Sequence, residues 1–207
     1  EGTENTYKIV DSHKRYRIFI DSFLECERGL HSMFNTLWNA DENDVLELRI
    51  NSFGGSVKEG QNFFNIVENK FYGRTTTVLD SAAYSMGALL FCVGNKRVVT
   101  EQCDFMLHDY ATINYGKGGE LESHLIHTSK HLRRFFKKVI VAKGFLTEKE
   151  FADMLIGKDF WMDVKELCKR GIATHVLYKG KEIRAKKYLK NLNKKELKNV
   201  EKKKKNK

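Results

Sequence analysis

Short β-branched or apolar runs alternate with segments of helical periodicity along this chain. The strand-like runs lie near residues 16–20, 45–50, 75–79, 96–99 and 104–108. Apolar residues recur at helical spacing near residues 26–38, 56–69 and 85–93. Such alternation predicts an α/β layered fold. With 207 residues and 41% apolar content, the chain is expected to form one domain with a substantial core.

A serine, Ser85, lies between the strand-like run at 75–79 and the helical segment that Gly94 closes. At a helix N-terminus, unpaired backbone N–H groups and the positive end of the helix dipole favour the negative charge that develops during acyl transfer. This position suits a nucleophile. The alternative is that Ser85 only caps the helix, because serine is among the preferred N-cap residues.

A second turn, Asn51-Ser52-Phe53-Gly54-Gly55-Ser56, follows the strand-like run at 45–50. It is typical of a strand–turn–helix unit in which adjacent glycines let the backbone approach a ligand or another backbone segment closely. A phosphate-binding loop would need its lysine and Ser/Thr after the glycines, and these are missing. Nucleotide binding is therefore not expected.

His108 ends the apolar run at 104–108 and is the candidate general base for Ser85. The alternative is a surface histidine at a strand end. Asp159 precedes a bulky apolar cluster and could orient the imidazole. Asp109 and Asp163 are the other candidates for that carboxylate, although Glu166 three residues after Asp163 favours a helix-capping role there.

Taken together, these segments resemble ClpP, the proteolytic subunit of the Clp protease, within the wider ClpP/crotonase fold. The resemblance covers about residues 16–178 and rests on five segments in order. These segments are Ile50-Asn51-Ser52-Phe53-Gly54-Gly55, Tyr84-Ser85-Met86-Gly87-Ala88, Gly94-Asn95-Lys96-Arg97, Met106-Leu107-His108, and Asp159-Phe160-Trp161-Met162 with Gly171-Ile172-Ala173. It implies a layered fold of repeated β-β-α units.

By this resemblance Ser85 is the nucleophile, His108 the general base and Asp159 the orienting carboxylate. The backbone N–H groups of Gly55 and Met86 would form the oxyanion hole. The implied activity is hydrolysis of peptide bonds in peptides or unfolded proteins, through an acyl-enzyme in an oligomeric chamber. No cofactor or metal is implied.

A long apolar helical stripe spans residues 120–143, after a flexible approach at Tyr115–Gly119. In ClpP-like proteins the equivalent strand and helix form a protruding handle, which mediates ring contacts and lets a substrate pair along the strand. A homo-oligomeric ring is thus expected. His124, His127 and His131 lie on this helix, where a solvated face is favoured over a metal site.

Three features depart from the family pattern. Phe53 stands where the family has proline, in a chain without any proline, so the turn loses a preset φ. About fifteen residues precede the first strand, which argues against the family's axial gating loop and an AAA+ unfoldase partner. Gly157-Lys158 replaces the Asp-Arg-like residue pair that many family members use for contacts between two rings.

These departures favour, as an alternative, a viral capsid-maturation protease of the same fold. An alternative of another class is a ring-forming scaffold that is catalytically silent. Acyl-CoA chemistry of the crotonase type is a weaker possibility, because those sites do not need the serine and the histidine.

The excess positive charge lies at the end of the chain. Residues 181–207 hold 13 Lys and Arg against three acidic residues, and the rest carries 24 of each sign. Residues 1–180 are therefore expected to form the peptidase domain and 181–207 a basic, partly helical or disordered tail. Nucleic-acid binding is not expected, except through that tail.

The four cysteines, Cys26, Cys92, Cys103 and Cys168, show no metal-binding or redox spacing and are expected to be reduced thiols. The sequence has no apolar run of membrane-spanning length and no secretory pattern. The expected location is the cytoplasm, or the assembling capsid if the protein is viral.

Overall fold

The computed structural model describes residues 13–21 and 27–194, with side chains from residue 30 onward in the second range. The strands are β1 Arg15–Ile20, β2 Val45–Ser52, β3 Thr75–Tyr84, β4 Lys96–Thr100, β5 Asp104–Leu107, β6 Phe160–Asp163, β7 His175–Tyr178 and β8 Lys181–Arg184. The helices are α1 Glu27–Trp38, α2 Val57–Lys70, α3 Met86–Val93, α4 Gly118–Phe136, α5 Glu148–Met154 and α6 Val164–Lys169. Residues 185–194 are also helical. This is the predicted α/β class.

The strands form one sheet of mostly parallel strands in the order β1-β2-β3-β4-β7-β8. β3 is longer than the predicted run at 75–79, since it continues to Tyr84. Its first half pairs with β4 and its second half with β5, both in parallel. β5 in turn pairs with β6 in the antiparallel direction. The two halves of β3 thus pair with different strands, and the second half ends at Tyr84, directly before Ser85.

The core lies on one face of this sheet. All eight residues of α3 are buried, and the helix packs against β3 and α2. Aromatic contacts join the layers: Phe91 of α3 meets Phe105 of β5 at 6.0 Å between ring centroids, and Phe34 of α1 meets Phe63 of α2 at 4.9 Å. α3 is apolar on every side because it is enclosed on every side.

The other sheet face carries charged side chains. Arg17 on β1 pairs with Glu47 on β2 at 2.9 Å, and Arg49 pairs with Asp80 on β3. Strands β1 and β2 alternate between less exposed and more exposed residues, and in β2 the apolar residues Leu46, Leu48 and Ile50 are buried. This is the period-two pattern of a sheet that buries one face.

The helix α4 projects from the domain, because only Leu132 and Phe136 of its 19 residues are buried. A π-helical turn, Lys137–Val141, continues it, and the Ala142 N–H donates to the Lys137 carbonyl five residues back at 2.9 Å. The helix matches the expected handle. The residues before it, 108–117, form no strand in the structure.

The C-terminal part of the described chain packs on the domain. β7 and β8 form an antiparallel hairpin that spans the predicted boundary at residue 180. Ala185 and Tyr188 behind it are buried in the core. The described part of the basic segment therefore belongs to the folded unit as far as residue 194, and residues 195–207 lie outside the described ranges.

Cys92, Cys103 and Cys168 are free and buried, in agreement with reduced thiols, and Cys26 lies outside the described residues. Burial raises the pKa of Cys92 and of Cys103 to about 12. Within residues 13–21 and 27–194, no helix has the length and apolarity needed to cross a membrane.

Candidate active site

The ends of two neighbouring parallel strands bring Ser85 and His108 together. Tyr84, the last residue of β3, lies opposite Met106 of β5. The Ser85 N–H continues this pairing and donates to the Met106 carbonyl at 3.0 Å. His108 follows the end of β5 by one residue. Because both side chains leave the carboxyl edge of the same sheet, they share one cavity.

Ser85 has a strained backbone conformation. Its φ of 54° and ψ of −123° lie in a region that non-glycine residues rarely adopt. The residue links β3 directly to α3, and its side chain makes no capping hydrogen bond to that helix. Ser85 occupies the N-cap position, but without a side-chain cap the structure does not support the alternative in which its hydroxyl only caps the helix. A strained serine at a sharp strand-to-helix turn exposes its Oγ, as the nucleophile of α/β-hydrolases does.

The glycine turn after β2 lies directly against this serine. A Cβ atom on Gly54, whose φ is +105°, would lie 2.7 Å from the Ser85 Cβ and 3.2 Å from the Met86 nitrogen. Real side chains do not approach so closely, so only glycine fits here. Gly87 also lies close to this turn, since a Cβ on it would be 3.0 Å from the Ser52 carbonyl oxygen.

Two polar side chains that the sequence analysis gave no role hold the glycine turn in place. Ser52, which is 1% exposed, accepts a hydrogen bond from the Gly54 N–H at 3.1 Å. Asn51 accepts one from the Ala82 N–H at 3.2 Å, where the pairing of β2 with β3 shifts register. The signal in the sequence was the Asn-Ser pair before two glycines, since short polar side chains commonly bond neighbouring backbone groups in turns.

The shared cavity has a volume of about 210 Å³. It is lined by residues from the glycine turn, α2, α3, the segment after β5 and the end of α4: Gly55, Val57, Ser85, Met86, Leu89, His108, Asp109, Tyr110, Ala111 and Phe136. The wall combines apolar side chains with a serine, a histidine and a carboxylic acid. Tyr110 and Phe136 were not singled out from the sequence as site residues.

The predicted oxyanion donors both belong to this cavity. The Met86 N–H is the first of α3 and has no intrahelical acceptor. The Gly55 N–H likewise has no hydrogen-bond acceptor in the described part of the chain. Two unpaired amides beside a serine can stabilise a developing oxyanion.

Asp159 is not among the residues that line the cavity. The β5–β6 pairing ends with Leu107 opposite Phe160, so His108 and Asp159 adjoin the last pair of the ladder. Asp159 is exposed. Among residues 13–21 and 27–194, no hydrogen bond joins Ser85, His108 and Asp159 to one another. Catalytic hydrogen bonds are often long in the absence of substrate and tighten when it binds.

The two other candidate acids have different environments. Asp163 accepts the Glu166 N–H at 2.8 Å and caps α6, which confirms its predicted capping role. Asp109 lines the cavity, and one of its carboxylate oxygens accepts the Tyr110 N–H at 2.9 Å.

Polar contacts also hold the strands and the helix that carry Ser85. The Tyr84 hydroxyl donates to Asp104 across β3 and β5 at 2.8 Å, and this hydrogen bond raises the pKa of Tyr84. At the far end of α3, Lys143 donates to the Cys92 carbonyl at 2.9 Å, and Arg97 donates to the Gly94 carbonyl at 2.7 Å. Cations at a helix C-terminus oppose the negative end of its dipole.

In the part of the chain that the structure describes, no three His, Cys, Asp or Glu side chains group as a metal site. His127 and His131 stack at 6.3 Å between ring centroids, and His131 lies 2.9 Å from the Gln61 amide nitrogen. All three histidines of α4 are exposed.

Comparison with known proteins agrees with this geometry. The family model of the Clp protease matches residues 1–180. The chain is also similar to the ATP-dependent Clp protease proteolytic subunit 2 of Pseudomonas aeruginosa, with 25% identity over 147 residues, covering 68% of this chain and 70% of that protein. With the family model matching most of its length, this chain is a member of the Clp protease family.

Proposed function

We propose that this chain is a serine peptidase in which Ser85 is the nucleophile. The observation that carries the proposal is the strained backbone of Ser85 at a strand-to-helix turn, with its side chain in the same cavity as His108. A folded domain holds a residue in such a conformation only when its surroundings fix it, and such residues cluster at active sites. Family membership supports the same activity.

In the proposed reaction, Ser85 Oγ attacks the carbonyl carbon of a peptide bond while His108 accepts the hydroxyl proton. The negative charge that forms on the carbonyl oxygen is stabilised by the N–H groups of Gly55 and Met86. His108 then gives its proton to the leaving amine, and an acyl-enzyme on Ser85 remains. Water, deprotonated by His108, hydrolyses this ester in the second half of the reaction.

Asp159 is proposed as the carboxylate that orients His108. Its place beside the last β5–β6 pair, which His108 follows on the neighbouring strand, supports this role. Asp163 is a weaker candidate, because its carboxylate caps α6. Substitution of Asp159 by Asn should lower the rate of Ser85 acylation, whereas the same change at Asp163 should mainly lower stability.

The test is covalent labelling with a small fluorophosphonate, followed by intact-protein mass measurement. The wild-type chain should gain one adduct, and Ser85→Ala and His108→Ala should lose it. Ser81→Ala is the matched control, since Ser81 is an exposed serine on β3 outside the cavity. An adduct that persists in Ser85→Ala would contradict the proposal, and so would its loss in Ser81→Ala.

We further propose that the peptidase works as a homo-oligomer on peptides or unfolded segments. The projecting helix α4 supports this, because Leu125 and Ile126 on it are 42% and 63% exposed. Light scattering should give a mass that is a multiple of the chain mass, and a monomer at micromolar concentration would contradict an oligomer.

The alternative functions have separate tests. A Ser85-dependent adduct would exclude the catalytically silent scaffold. The Pseudomonas relative is named as ATP-dependent. If an added AAA+ unfoldase stimulates degradation of a folded substrate by this chain, the dedicated capsid-maturation protease is contradicted.

A further inference from the structure

Asp109 places a carboxylic acid in the wall of the cavity that contains Ser85. It follows the proposed base directly in the chain and lies in the same cavity lining. One carboxylate oxygen is held by the Tyr110 N–H. In residues 13–21 and 27–194, no side-chain nitrogen of a lysine, arginine or histidine forms an ion pair within 4 Å of its carboxylate oxygens. A half-buried carboxylate without a cation in a small cavity offers a binding partner to a ligand cation.

The rest of the lining suits the stem of a long aliphatic side chain. Val57 and Leu89 contribute branched apolar surface, and Phe136 contributes an aromatic ring. The cavity volume of about 210 Å³ is below the range of about 300–1,000 Å³ that is typical of small-molecule pockets. One amino-acid side chain is a more suitable occupant than a whole small ligand.

Basic side chains combine an apolar stem with a charged end. Lysine and arginine bury their methylene groups along apolar surface while the charge seeks a polar partner. The cavity offers apolar walls and a carboxylate in one place, together with the proposed nucleophile Ser85. A carboxylate at such a position is the device by which some serine proteases select a basic residue before the scissile bond.

We propose that Asp109 is a specificity-determining residue, which makes the Ser85 site prefer lysine or arginine at the position before the scissile bond. This inference rests on the proposed peptidase function. The Asp109 carboxylate is assigned to pair with the ammonium or guanidinium group of that residue, and the apolar walls take its methylene groups. Asp109 then acts on substrate choice rather than on the orientation of His108.

The test uses three peptidyl diphenyl phosphonates that differ only at the residue bound in the cavity: lysine, norleucine or glutamate. Norleucine matches the aliphatic stem of lysine without its charge, so the lysine-to-norleucine ratio isolates the ammonium group. The second-order rate of Ser85 labelling is measured for each. In the wild type the order should be lysine, norleucine, glutamate, and a charged hydrogen bond should favour lysine by about tenfold to a hundredfold.

Asp109→Asn should bring the lysine-to-norleucine ratio close to one. Asparagine keeps the shape and the acceptor for the Tyr110 N–H, so the fold should be preserved. Asp153→Asn is the matched control, because it removes one negative charge from the exposed α5 pair with Lys158 and leaves the cavity unchanged. That variant should keep the wild-type ratio.

The outcomes separate the two proposals. Equal or faster labelling by the norleucine probe in the wild type would overturn the inference without any variant. Asp109→Asn slowing all three probes by the same factor would overturn it too, since it would show a role in the chemistry. If the small fluorophosphonate labels Ser85 but no peptidyl probe does, the inference fails alone. If no reagent labels Ser85, the peptidase proposal fails.

Discussion

Substitution of Gly54 by alanine tests the close approach between the glycine turn and the nucleophile. The added Cβ would lie 2.7 Å from the Ser85 Cβ. Carbon atoms prefer separations of about 3.5–4.0 Å. The turn and Ser85 must therefore separate by about 1 Å, and a misplacement of about 1 Å can lower a reaction rate by about a hundredfold. We expect that loss in the rate of fluorophosphonate labelling.

The same substitution should also lower stability. An alanine at a φ of +105° costs about 1–2 kcal/mol, and crowding in a packed site adds about 1–3 kcal/mol. The free energy of unfolding, measured with urea, should fall by about 2–5 kcal/mol. Labelling rates are compared at a temperature where circular dichroism shows the variant to be folded.

Gly73→Ala is the matched control. Gly73 also has a positive φ, +76°, but a Cβ on it would meet nothing within 4 Å. It precedes β3, about 30 Å from Ser85 along the ten-residue strand. This variant should lose about 1–2 kcal/mol of stability and keep its labelling rate. If folded Gly54→Ala labels within about threefold of Gly73→Ala, the turn does not position the nucleophile and the reasoning is refuted.

Three further predictions follow from the described contacts. Lys143→Met removes two hydrogen bonds to carbonyl oxygens at the end of α3. The free energy of unfolding measured with urea should therefore fall by about 1–3 kcal/mol. An unchanged urea midpoint would contradict this. Cys92, Cys103 and Cys168 should resist a thiol-specific disulfide reagent at pH 8 in the native protein and react once the protein is unfolded. The reason is that burial raises the pKa of these thiols to about 12, 12 and 11, respectively. Fast modification of any of them in the native protein would contradict their burial. Hydrogen bonds from the backbone N–H groups of Lys14 and Asp41 lower the pKa of the Asp44 carboxyl. The contribution of the ionised Asp44 to the free energy of unfolding is therefore present above about pH 4 and is lost as pH falls through the lower folded pKa. The stability advantage of the wild type over Asp44→Asn should therefore shrink between pH 5 and pH 3, and a constant difference would refute the assignment.

The alternation of strands and helices was sufficient to predict the α/β class, because hydrophobic periodicity reports which side of an element is buried. It also placed Ser85 correctly between a strand and a helix. It did not predict the length of β3, since Ser81 is exposed and interrupts the apolar run while the backbone continues as strand to Tyr84. Backbone pairing with β5 maintains the strand there, and a single sequence does not show such pairing.

The composition of the cavity was predictable only in part. Ser85 and His108 share it as the motifs suggested, and Asp109 was named only as an alternative acid. Phe136 lies in the apolar helical stripe that periodicity predicted at 120–143, but a single sequence does not show which residue of that stripe reaches the cavity. The role of Asp159 stays a prediction, since Asp159 and His108 only adjoin the last β5–β6 pair and no hydrogen bond joins them in the described part of the chain.

The π-helical turn Lys137–Val141 shifts the rotational phase of this long helix, so the side chains before and after it are offset around the helix axis. Such a turn amounts to one extra residue in an α-helix. With 3.6 residues per turn, one residue rotates everything before it by about 100° around the helix axis. The buried root beside α3 can thus keep its packing while the projecting part, with Leu125 and Ile126, faces another way. A one-residue deletion in this turn would redirect the exposed surface without altering a side chain on it.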